Sequence, residues 1–284
     1  KAADDYGAIV MMRDKSGNVT TWGTEDKPAL TVKLTEGIPP AGELLRIEDF
    51  SLPIMGSSLS VTRSYDPTDN GEFDHWMGLS WRSSLDYFVM DFPDGTVSLS
   101  MGTDGGLFFF RNPDGSYRSK DPNNYSTLTK LARGYELRMK DGTLYEFTSV
   151  PFTDKNAASV VWFLTRIVDR NLNETRFFYD ENWNLTSVVA PSGDTTRLEY
   201  SFRTRDQFNT NKYNLDRIIA SSGAIWSFEH DVEGWLISET NPLGDKTRYE
   251  CDSVNRLTRI IYPDGSTQGY EDGGEKDLKK FDVK

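Results

Sequence analysis

The sequence predicts an all-β protein in which antiparallel β-hairpins repeat in an array whose sheet grows strand by strand. Three observations predict it. Aromatic residues reach 13% of the 284 positions while hydrophobic residues stay at 37%, a balance that suits pleated, half-buried surfaces. Twenty-three glycines and twelve prolines are scattered along the chain, which implies many turns and short strands. A 21-residue period runs through the C-terminal half, the mark of stacked supersecondary units.

Residues 1–45 read as a lead-in. Ile9-Val-Met-Met12, the turn Lys15-Ser-Gly-Asn18 and Val19-Thr-Thr-Trp22 form a predicted hairpin, and Pro39-Pro40 and Gly42 then punctuate the chain. Residues 46–160 hold looser hairpins around Pro93-Asp-Gly95, Pro113-Asp-Gly115 and Asp141-Gly142, which echo the period without keeping its register. Residues 161–284 are the array itself.

Its repeats begin at Leu164, Leu185, Leu215, Leu236 and Leu257, spaced 21, 30, 21 and 21. The spacing of 30 is a 21 with nine residues inserted, placed in the polar stretch Arg203 to Asn211 and expected to form a loop on one face. A second register confirms the period. Pro191, Pro242 and Pro263 each follow a repeat leucine by six residues, and Gly193, Gly244 and Gly265 by eight; Ser221 and Gly223 take these slots in the inserted repeat. A third register is Tyr179-Asp180, His230-Asp231 and Cys251-Asp252, each Asp five residues before a repeat leucine. Each repeat therefore reads as two strands and two turns. Pro fixes φ and Gly tolerates positive φ at one turn, while Asp and Asn bond nearby backbone at the other. A lone hairpin is marginal in water, so neighbours must stack and pair.

These residues resemble a known family. Tyr179-Asp180, Leu185 and Pro191-x-Gly193 look like the YD repeat of RHS proteins, and Leu257-Thr-Arg-Ile-Ile-Tyr-Pro-Asp-Gly-Ser266 is especially close. Upstream, Ile47-Glu-Asp-Phe-Ser-Leu-Pro53, Val61-Thr-Arg-Ser-Tyr-Asp66, Gly78-Leu-Ser-Trp-Arg82 and Asp86 resemble the domain that precedes RHS arrays. The resemblance covers about residues 40 to 284. It implies a β-sheet that spirals into a hollow shell, which in bacterial polymorphic toxins encloses a C-terminal toxin domain. The same repeats occur in insecticidal toxin complexes and in the adhesion proteins called teneurins. Some members cut themselves through an aspartate-bearing motif that is not recognisable in this sequence.

Six repeat slots fit at most, the last at Leu278-Lys-Lys-Phe281, so the expectation is a partial RHS-type shell, as a fragment or a short member. The implied function is a structural shell segment of a secreted or cell-surface bacterial protein. Its partners would be a cargo or toxin domain of the same or a longer chain and a secretion-apparatus protein. The roles assigned are structural. Leu164, Leu185, Leu215, Leu236 and Leu257 pack the wall, Pro191, Pro242, Pro263, Gly193, Gly223, Gly244 and Gly265 turn the chain, and Asp180, Asp231 and Asp252 cap the turns beside Tyr179, His230 and Cys251. An open final edge would be free to self-associate.

Charge and composition exclude other classes. The net charge of −12, with no basic cluster, opposes a polyanionic partner. No run of about 18 apolar residues could span a membrane as a helix. A single cysteine, Cys251, leaves no intrachain disulfide, and only two histidines, His75 and His230, are available as a catalytic base or metal ligand. No catalytic, metal or cofactor site is therefore predicted. The alternative to a wall is an adhesion or glycan-binding module, with Trp183 and Trp235 as the stacking rings.

Overall fold

The computed structural model describes residues 6–8, 10–13, 19–22, 30–32, 45–54, 57–65, 76–104, 106–148, 152–154, 159–205, 211–253, 256–272 and 278–283. Among them every regular element is a strand apart from one short 3-10 turn, Gly102–Asp104. All strand pairs run antiparallel.

Five sheets result. In the lead-in, Val10–Arg13 pairs with Val19–Trp22, and Tyr6–Ala8 pairs with Leu30–Val32. A three-stranded sheet joins Leu45–Ile54, Ser57–Tyr65 and Trp81–Ser83. A six-stranded sheet is built on Tyr87–Asp91, Thr96–Met101, Gly106–Arg111 and Tyr117–Ser119, and Ser159–Phe163 and Phe152–Asp154 extend its far side. The fifth sheet has 14 strands, from Thr127–Lys130 to Leu278–Val283, hydrogen-bonded in chain order. It is open, with those two strands as its edges.

Pairing crosses the boundary that periodicity placed between 160 and 161. The large sheet begins at Thr127, because Tyr135–Arg138 and Leu144–Phe147 pair as the array does although they lie off its 21-residue register. Ser159–Phe163 meanwhile pairs with Tyr87–Asp91.

Within the array the register is the same in each hairpin. Tyr179 lies opposite Leu185, Tyr200 opposite Leu215, His230 opposite Leu236, and Cys251 opposite Leu257, each with a register shift one residue earlier. Such a bulge sharpens local twist and detaches one residue from the ladder. The nine inserted residues do not make a simple loop. They lengthen both strands, so that Thr195–Arg205 and Asn211–Ile219 pair through Ser201 opposite Asn214 to Arg205 opposite Asn211; the tip lies outside the described residues.

Alternation does the rest. Thr175 and Phe177 are buried while Arg176 and Phe178 are exposed, and Thr196 and Leu198 repeat the pattern against Arg197. One face of the large sheet thus joins a continuous core with Val61, Tyr65, Met77, Trp81, Leu85 and Tyr87 of the upstream segments. Burying each large apolar side chain stabilises by roughly 1.5–3 kcal/mol, and that covered face is what lets the hairpins persist.

Candidate functional site

The chemistry of this chain is concentrated where the upstream segments meet the repeat face. The five repeat leucines all lie there, each at most 2% exposed. Leu164 differs from the others: it sits between strands, and its N–H donates to the Tyr87 carbonyl (3.1 Å). The prolines and glycines are at the opposite ends of the hairpins. Gly193, Gly223, Gly244 and Gly265 have φ between +82° and +91°. In each turn that glycine N–H donates three residues back, as from Gly244 to the Asn241 carbonyl (3.0 Å), while Asn241 N–H donates to Asp245 (3.0 Å). This is a type I turn closed by a left-handed residue. Gly95, Gly115 and Gly142 upstream make the same turn.

The aspartates sit at the other turn and accept from its backbone. Asp231 Oδ1 takes the N–H of Glu233, Gly234 and Trp235 at 2.8–2.9 Å. Asp180 takes those of Asn182 and Asn184, and Asp252 that of Arg256. Two residues do glycine's work without being glycine: Trp183 (φ +68°) in the Asp180 turn and Leu172 (φ +66°) in the Asp169 turn.

At these bulged turns the upstream segments dock by hydrogen bonds one repeat after another. Leu215 N–H donates to the Trp76 carbonyl (2.8 Å), and Leu79 N–H to the Gly234 carbonyl (3.1 Å). Leu257 N–H donates to the Tyr65 hydroxyl (3.0 Å). His230 lies 3.1 Å from the Met77 carbonyl through Nε2, which must carry the proton to bond it; burial holds its pKa below the usual histidine value. Gly78 (φ +114°) passes so close that a Cβ would stand 3.2 Å from Leu236 N. A Cβ on Gly234 would meet the Arg203 guanidinium, which the lengthened hairpin lays across it.

Two half-buried acids face this interface. Asp86 accepts from Ser83 N–H (2.7 Å) and from the Trp76 indole, yet burial raises its pKa to about 6. Glu239 faces Arg63, which is fully buried. The Arg63 guanidinium lies 5.3, 5.4 and 5.9 Å from the ring centres of Trp81, Phe228 and Tyr249. Neither acid was singled out by periodicity, although Glu239 is visible as the one acid where other repeats carry Ile or Val.

The contacts at this interface are apolar packing, hydrogen bonds and one ion pair between two surfaces. Among the described residues no group of three His, Cys, Asp or Glu side chains could hold a metal ion. His75 lies outside them. Cys251 is exposed on the strand opposite Leu257. Trp235 is buried, and one face of Trp183 stacks on Phe163 (5.9 Å between centres, 18° between planes). Two open grooves of about 450 and 380 Å³ lie between successive turns, the first beside Arg176 and Pro191 and the second beside Arg197 and Gly223.

A family model of the RHS repeat matches residues 230–267, from His230-Asp231 through Pro263-x-Gly265. No curated protein matches the chain. Among solved structures it is similar to the N-terminal domain of effector protein SpvB from Salmonella typhimurium strain LT2, at 12% identity and a TM-score of 0.41, over 79% of this chain and 100% of that one. It is similar to TcdB2-TccC3 without its hypervariable C-terminal region at 12% identity and a TM-score of 0.41, over 85% of this chain and 16% of that one. The Photorhabdus luminescens Tc holotoxin pore aligns at 12% identity and a TM-score of 0.33, over 82% of this chain and 14% of that one.

Proposed function

We propose that this chain, which an RHS-repeat family model matches at residues 230–267, builds a segment of a β-sheet shell around a cargo domain. The observation that carries the proposal is the order of the 14-stranded sheet. Strand follows strand in chain order, and each array hairpin repeats the same bulge and the same turn. A wall built this way lengthens by adding units without redesign. Its mechanism is enclosure: continuous main-chain hydrogen bonding leaves no gap for a protease or a folded domain to pass.

The cargo in this proposal is a toxin or other domain of the same or a longer chain, delivered by a bacterial protein that is secreted or displayed at the cell surface. The wall has no catalytic part. A glycan-binding module would need free ring faces, and Trp183 and Trp235 do not favour it. The test is protease protection of the native gene product. A domain that resists digestion until the shell is unfolded is the expected result; digestion of every region outside the sheets at the same rate would sink the proposal.

A further inference from the structure

A sheet of near-identical hairpins offers a docking module several near-identical seats. The residue three positions after a repeat leucine points onto the covered face: Val188, Ile218 and Ile260 are all buried there, opposite Phe177, Leu198 and Tyr249. In one repeat the same position, opposite Phe228, is Glu239. A carboxylate in an apolar stripe is costly unless paired. Its partner comes from another sheet. Arg63, on Ser57–Tyr65, forms an ion pair with Glu239, donates to the Tyr249 hydroxyl (3.4 Å) and sits among three rings.

We propose that the Arg63–Glu239 pair is a register key, which seats the three-stranded sheet on one hairpin of the array and rejects its neighbours. Shifting the module by one repeat would place the guanidinium over Ile218 or Ile260 and leave Glu239 in the apolar stripe without its partner. Each misplaced charge then loses its water without gaining a partner. The main-chain groups that dock the module recur from bulge to bulge, as the Leu215 and Leu257 N–H groups show, whereas a carboxylate three residues after a repeat leucine occurs once; the His230–Met77 bond adds to the choice of seat. A buried ion pair adds little net stability against a well-packed apolar pair, whereas fixing register is its best-attested use.

The full chain is tested with a benzophenone amino acid in place of Leu79, whose N–H bonds the Gly234 carbonyl. Photolysis and peptide mapping should give one product, on the Asp231–Leu236 turn. In Arg63→Met/Glu239→Ile, which restores the apolar stripe, cross-links should spread to the lengthened hairpin around Ser201 and Asn214 and to the Asp252–Leu257 turn. Arg63→Lys keeps the charge and should keep the single product. If the double variant does not fold, Glu239→Gln is read in the same way, since its shape is unchanged and its charge is gone. An unshifted single product from the folded double variant, or from Glu239→Gln, overturns the proposal.

Discussion

Leu172 stands in the position that Gly193, Gly223, Gly244 and Gly265 fill in later repeats, with φ +66° and 83% of its surface exposed. A left-handed backbone costs an L-residue roughly 1–2 kcal/mol, and so exposed a side chain recovers little by packing. Leu172→Gly should therefore raise stability by about 1 kcal/mol, part of the relief being offset by the greater freedom of unfolded glycine. Chemical denaturation measures this, and a lower midpoint would contradict it. Gly244→Val should do the reverse: its Cβ meets nothing within 4 Å, so the loss, about 1–2 kcal/mol, comes from the backbone alone. Asp231→Ala removes one oxygen that serves three N–H groups. A fall of about 1–3 kcal/mol is expected, and an unchanged melting temperature would show that water replaces the carboxylate. At this scale the sequence is most legible, because Pro, Gly and Asp act on their own turns. Leu172 and Trp183 escaped, since their side chains carry no sign of the left-handed backbone beneath them.

The hairpins were legible through period and alternation, and their register was not. The bulge that sets Tyr179, His230 and Cys251 opposite leucines leaves no compositional trace, and Tyr200 was hidden because Ser201 replaces the usual Asp. The insertion was located correctly but its form was not, since polar strand ends and polar loops look alike in sequence. Between elements the main titratable group is Asp86, pushed up to about 6 by burial despite the bonds from Ser83 and Trp76. Its folded pKa exceeds the unfolded value of 3.8, so its stabilising contribution is fully present below about pH 3.8 and is lost as pH rises through about 6. Asp86→Asn should remove that dependence and raise stability at pH 8 by on the order of 1–3 kcal/mol. Denaturation of both proteins from below pH 3.8 up to pH 8 gives the comparison; parallel profiles across that range would mean that Asp86 does not titrate there.

For the whole molecule, the all-β class and the open hairpin array follow from the sequence, while the packing of the upstream sheets on the array does not. The contacts that make this packing, such as Tyr65 with Leu257 and Trp76 with Leu215, join residues far apart in the chain. No local pattern announces them, and the fully buried Arg63 reads in sequence as an ordinary surface arginine. Among the described residues the large sheet's last strand, Leu278–Val283, pairs on one side only, and an unpaired edge invites another strand. In a shell that strand would come from the next hairpin. The most direct measurement is therefore electron cryomicroscopy of the native gene product. The account predicts strands continuing from Leu278–Val283 into a wall with density enclosed behind it. An open sheet with that edge bare and solvent on the far side of the upstream sheets would contradict it.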